Sequence, residues 1–114
     1  MMKYVFLVYR DEQRWETLSV SERNTFNETC QASEQDLIRS FHLIDVKGLQ
    51  NNSILTVRIV NGRIVLTDDS LSGSREQLIR LLFIQARDLN AAIQIASQMP
   101  QARAGPIEVR PIVE

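Results

Sequence analysis

One cysteine, one histidine and one tryptophan in 114 residues leave little material for common site chemistry. A single thiol, Cys30, closes no internal disulfide, which suits a reducing compartment and points to the cytoplasm. With so few histidine and cysteine ligands, no metal centre is expected. No motif fixes a chemistry, and no cofactor is expected. Charge of one sign is not in excess: 13 basic and 14 acidic residues give a net −1, and the seven aromatics are scattered. The phosphate-neutralising patch of a nucleic-acid binder is therefore missing. A membrane helix needs about 20 apolar residues. The N-terminal run "YVFLVY" is broken by "RDEQR", and no small-residue cleavage site follows it, so neither a membrane span nor a signal peptide is expected.

What is present suits one globular domain, residues 1–114, with 44% hydrophobic and 24% charged residues. The stretch 4–9, "YVFLVY", is apolar on both alternating faces and reads as a central strand. Ser19 stands three residues before Glu22, the spacing of a capping box, so a long helix starts there. Phe26, Cys30, Leu37 and Phe41, with Ile38 alongside, form a stripe expected to face a core. The charges Glu22, Arg23, Glu28, Glu34 and Asp36 read as a solvated face.

Residues 42–47, "HLIDVK", read as a short strand. Asn61-Gly62 between two β-branched runs marks a type I′ hairpin, which needs positive φ at both central residues. The loop "LTDDSLSGSREQL" follows, with a helix start expected at Ser72 or Ser74 and Arg75 and Glu76 in its first turn. Then "IRLLFIQA" is a strand apolar on both faces. Asp88 caps a second helix whose Leu89, Ala92, Ile93, Ala96 and Met99 form the buried stripe. A last strand, "PIEVRPIV", carries Pro111, which belongs at an edge or an end.

This order is an α+β pattern, a ferredoxin-like split βαβ with an added β-hairpin. Both helices then cover one sheet face. The first strand and "RLLFIQA" are apolar on the other face too, so a homodimer packed sheet to sheet is expected.

The ordered segments "KYVFLVYRDEQRW", "LSVSER", "LTVRIVNGRIVLTD", "SREQL" and "IEVRPI" resemble the YCII-related family, in its DGPF-domain branch, nearly end to end. The resemblance implies a dimeric α+β barrel with a ferredoxin-like protomer and a pocket for a small molecule. A relative in the wider family is a dehydrochlorinating enzyme. The branch pattern runs Thr-Asp-Gly-Pro-Phe, then Lys-Glu-Gln-Leu into Gly-Gly-Tyr-Tyr. Here Asp68 is kept, but Asp69, Ser70 and Leu71 replace Gly-Pro-Phe. Arg75, Glu76, Gln77 and Leu78 keep the middle run, while Ile79, Arg80, Leu81 and Leu82 replace Gly-Gly-Tyr-Tyr. Those residues fill space and remove tyrosine hydroxyls, so the inherited pocket is altered or closed. The family's acid/base pair is a first-helix histidine with an aspartate; this helix has no histidine, so that chemistry does not transfer.

His42 and Asp68 are the catalytic candidates, each weighed against a plain structural role. His42 and Asp45 at odd spacing on one strand point to opposite faces, which argues against a dyad. Asp68 and Asp69 fit a turn better than a metal pair. Cys30 on an apolar stripe reads as a buried structural thiol. Tyr9, Trp15, Asp68, Arg75 and Arg80 are the candidate ligand-binding residues. An inward-pointing Arg80 would favour an anionic ligand, since a buried guanidinium needs a carboxylate or phosphate partner. The first functional expectation is a small-molecule-binding or vestigial, non-catalytic homodimer. The alternatives are a lyase or isomerase moving protons through His42 or Asp68, and a structural subunit of a larger assembly.

Overall fold

The structure is a computed structural model and describes residues 1–68 and 75–114. The element order is β1 (Met2–Asp11), α1 (Glu12–Glu16), α2 (Val20–Arg39), β2 (Leu43–Gly48), β3 (Thr56–Val60), β4 (Arg63–Thr67), β5 (Glu76–Ala86), α3 (Leu89–Gln98), α4 (Gln101–Ala104) and β6 (Ile107–Pro111). It is a mixed α+β arrangement. A four-stranded sheet runs in the order β2-β5-β1-β6, antiparallel at every pairing, and β3 and β4 form a separate two-stranded sheet.

β1 lies between β5 and β6, which explains its two apolar faces. Tyr4, Phe6 and Val8 on one face, with Leu82, Ile84 and Ala86 of β5, are at most 1% exposed. Ala92, Ala96 and Met99 of α3 close this core, and Leu43 and the flank of Leu37 complete it. The small residues of α3 let its backbone approach the sheet, while each large buried side chain contributes about 1.5–3 kcal/mol. The opposite face carries Val5, Leu7, Tyr9, Leu81 and Phe83, all half-buried in the single chain. β6 ends at Pro111 on the sheet edge, where a missing N–H costs no ladder bond.

Local signals set the element ends. Ser19 Oγ accepts the Glu22 N–H and Glu22 Oε1 accepts the Ser19 N–H, a complete capping box. The bond from Ser19 holds the Glu22 carboxyl below the usual glutamate range. Asp88 caps α3 through the Ala91 N–H, and Asp11 caps the short α1, which the sequence pattern did not reveal. Asn61 and Gly62 take φ values of 51° and 75°, the positive pair that the hairpin turn requires.

Several expectations need correction. The stripe on α2 faces inward only in part: Leu37 packs against the core and Phe26 and Cys30 are half-buried, but Phe41 is 76% and Ile38 45% exposed. The reason is the helix end. His42 N–H donates to Leu37 O and Phe41 N–H to Ile38 O, a Schellman motif that puts Phe41 at φ 63° and turns its ring to solvent. The buried position on α2 is Glu34, which the charge pattern assigned to the solvated face. On α3, Leu89 and Ile93 are nearly half exposed, so its buried stripe narrows to Ala92, Ala96 and Met99. No helix starts at Arg75 and Glu76, because β5 already begins at Glu76; Ser72 and Ser74 lie outside the described residues.

Candidate functional site

Along 20 residues α2 buries only Glu34 fully, and beneath the helix, N-terminal to the Leu37 contact with the core, lies a cleft of about 560 Å³. That is within the size range of small-molecule pockets. Phe26 and Ile38 of α2 face Val46, Leu49 and Ile79 across it, and Cys30, Arg10, Glu34, Arg80 and Gln101 add polar groups.

A bulge aims the arginine. Val8 pairs with Arg80 but Tyr9 pairs with Leu78, so Ile79 is an extra residue on β5. An extra residue bends its strand and re-aims side chains, and both Ile79 and Arg80 line the cleft. Arg80 shares the face of Leu82 and Ile84, the face that α2 covers. Its Nε donates to Glu34 Oε2 at 2.8 Å and its Nη2 to Glu34 Oε1 at 2.7 Å, a bidentate pair. That bond raises the Arg80 pKa further. Gln101 Nε2 also donates to Glu34 Oε2, at 3.2 Å, so three N–H groups hold one carboxylate. The amide orientation follows from this, since the reverse would set oxygen against oxygen. Gln101 Oε1 is then buried with no hydrogen-bond partner among the described residues. Gly48 gives Arg80 room: a Cβ there would lie 3.3 Å from Nη1.

Cys30 sits one turn before Glu34. Burial, and then the Glu34 charge, push its thiol up to about 11. At neutral pH only about one thiol in ten thousand is then thiolate, too few for a nucleophile. Above the cleft, Arg10 pairs with Glu12 at 2.8 Å and its guanidinium lies 4.2 Å from the Trp15 ring centroid. Trp15 meets Phe26 edge-on at 5.8 Å, and its carbonyl accepts the Arg23 Nε proton. These contacts tie α1 to α2 and give the cleft its outer rim.

Of the residues singled out from sequence, Arg80 lies in the cleft and Trp15 beside it. Tyr9 lies on the opposite sheet face, where its hydroxyl donates to Glu108; that bond raises the Tyr9 pKa and lowers that of Glu108. His42 Nδ1 bonds the Gln85 carbonyl at 3.0 Å, while Asp45 accepts the Val46 N–H, so the two make separate contacts. Asp68, just beyond β4, and Arg75, just before β5, are exposed. Asp69 lies outside the described residues. Neither His42 nor Asp68 lines the cleft. Among the described residues no cluster of three or more histidine, cysteine, aspartate or glutamate side chains could hold a metal ion.

Sequence reasoning missed Glu34 and Gln101. The signal for Glu34 was the gap of seven between Cys30 and Leu37: a residue four after one and three before the other shares their face. Gln101 gave no such signal.

Fold and cleft together define a small α+β protein with helices over one face of an antiparallel sheet and an ion pair in a cleft under the longer helix. The chain belongs to the YCII-related domain family, whose family model matches residues 2–114. No curated protein matches the chain. Among the described residues, no helix is long and apolar enough to cross a membrane.

Proposed function

We propose that this chain is a single-domain, cytoplasmic YCII-related protein of the DGPF branch, working as a homodimer whose α2 cleft binds a small uncharged molecule without chemistry. The observation that carries the reading is the Glu34–Arg80 pair. The inward arginine is already answered by a carboxylate of the same chain, so the anionic ligand that an unpaired arginine would call for is not needed. Arg10 has Glu12. The cleft is thus charge-balanced, with apolar walls, and an uncharged, largely apolar molecule with one polar head suits it. The Cys30 thiol stays protonated and Glu34 is held by three donors, which leaves no free base or nucleophile of that pair.

The sheet order β2-β5-β1-β6 with its two crossover helices supports the ferredoxin-like protomer of a dimeric α+β barrel. The half-buried Val5, Leu7, Leu81 and Phe83 support pairing through the open face, with Asp45–Lys47 and Glu108–Arg110 as a charged rim of both signs.

Benzamide and benzoate, nearly isosteric, test the ligand reading. Amide chemical shifts of the isotope-labelled chain should move at Cys30, Gly48 and Ile79 with benzamide, and benzoate should bind about tenfold more weakly. Shifts confined to other residues would refute the cleft. Tighter binding of benzoate would refute the charge argument. Native mass spectrometry of the purified chain reads the dimer and any retained ligand together.

A further inference from the structure

We infer that the β3–β4 hairpin is a self-association arm whose apolar face docks on a second copy of this chain. The register pairs Val57 with Leu66 and Ile59 with Ile64, so these four side chains share one face, and by strand alternation Leu55 continues it. Their exposures run from 58% to 69%. The reverse face is mixed, with Arg58, Arg63, Thr56, Thr67, Val60 and Val65. Every residue from 57 to 67 is exposed, so the described residues of the body do not cover the arm. The radius of gyration, 16.1 Å, exceeds the roughly 13 Å of a compact chain of this length. A two-stranded hairpin alone in water is marginal, and an all-apolar face on one calls for cover.

A second copy fits on two grounds. Residues 49–67 carry Arg58 and Arg63 and no acidic residue, in a chain of net charge −1. The rest of the chain is therefore negative by three charges, and the arm of one copy is attracted to the body of another. The same chain also leaves Val5, Leu7, Leu81 and Phe83 only half-buried on its open sheet face, the face already proposed to pair with a second copy. Two copies related by a twofold axis bury both surfaces reciprocally.

The inference rests on the homodimer reading, and sedimentation equilibrium of the full chain separates the two. Wild type is expected to be a dimer. Ile59→Asp and Ile64→Asp, on the apolar face, are each expected to raise the dimer dissociation constant about 100-fold, a hot-spot effect. Val65→Asp, on the mixed face, should change it less than about threefold. A monomeric wild type overturns both the homodimer and the arm. A dimeric wild type with both arm variants equally dimeric overturns the arm alone, and leaves its apolar face to a different protein. Hydrogen exchange of the unmodified chain gives a check free of folding effects. Protection at Val57–Val60 and Arg63–Leu66 should rise with chain concentration, and concentration-independent exchange overturns the inference.

Discussion

Replacing Arg80 by Met removes one partner of the cleft pair and leaves the Glu34 carboxylate, 8% exposed, without its charge partner. Breaking a fully buried pair this way costs about 3–5 kcal/mol, and an exposed pair about 0–1 kcal/mol. Arg80 is 33% exposed and Gln101 still donates to Glu34, so the pair falls between these limits, at about 2 kcal/mol. That loss lowers the urea midpoint by roughly 1 to 2 M. Adding Glu34→Leu removes the stranded carboxylate, and the double variant should return to within about 1 kcal/mol of wild type, because two apolar side chains replace two charges of similar volume. Urea unfolding followed by Trp15 fluorescence and far-ultraviolet circular dichroism, at one fixed protein concentration, measures all four chains of the cycle. A loss below about 0.5 kcal/mol for Arg80→Met would show that the pair is not a buried unit. Additive losses in the double variant would refute the coupling outright.

Three more outcomes follow from the geometry. Phe41→Gly is expected to stabilise the chain by about 0.5–1 kcal/mol, since glycine takes the left-handed conformation freely and little ring burial is lost; a lower melting temperature would contradict this. The raised Cys30 thiol should react with iodoacetamide about 100-fold more slowly in the native chain than in urea at pH 7.5, and equal rates would place it in an open, polar setting. Glu22 has its carboxyl pKa lowered by the bond from Ser19, so its contribution is full above the usual glutamate range and is lost as pH falls through the folded value. The difference in melting temperature between wild type and Glu22→Gln should therefore be present at pH 7 and fade as pH falls from the usual glutamate range through the lowered folded value; a constant difference would remove the capping explanation.

Local physics made much of this chain legible before any coordinates. The Ser19–Glu22 box, the Asp88 cap, the Asn61-Gly62 turn and the two-faced "YVFLVY" strand each depend on residues a few positions apart, so sequence by itself determined these elements and their order. It also determined that β1 is central, because side chains on both faces need cover. Tertiary structure decided the rest. Glu34 meets Arg80 across 46 residues and Gln101 across 67, and no local rule brings them together. The β5 bulge sets the side on which Arg80 emerges, and the seating of α2 over the sheet sets which helical face is buried. The bulge depends on pairing between distant strands. The chain reversal after α2 is local and turns Phe41 to solvent, but the burial of Glu34 in the cleft appears only once α2 is laid against the sheet. A charge is stable there because an arginine from a distant strand answers it, and that answer exists only in three dimensions.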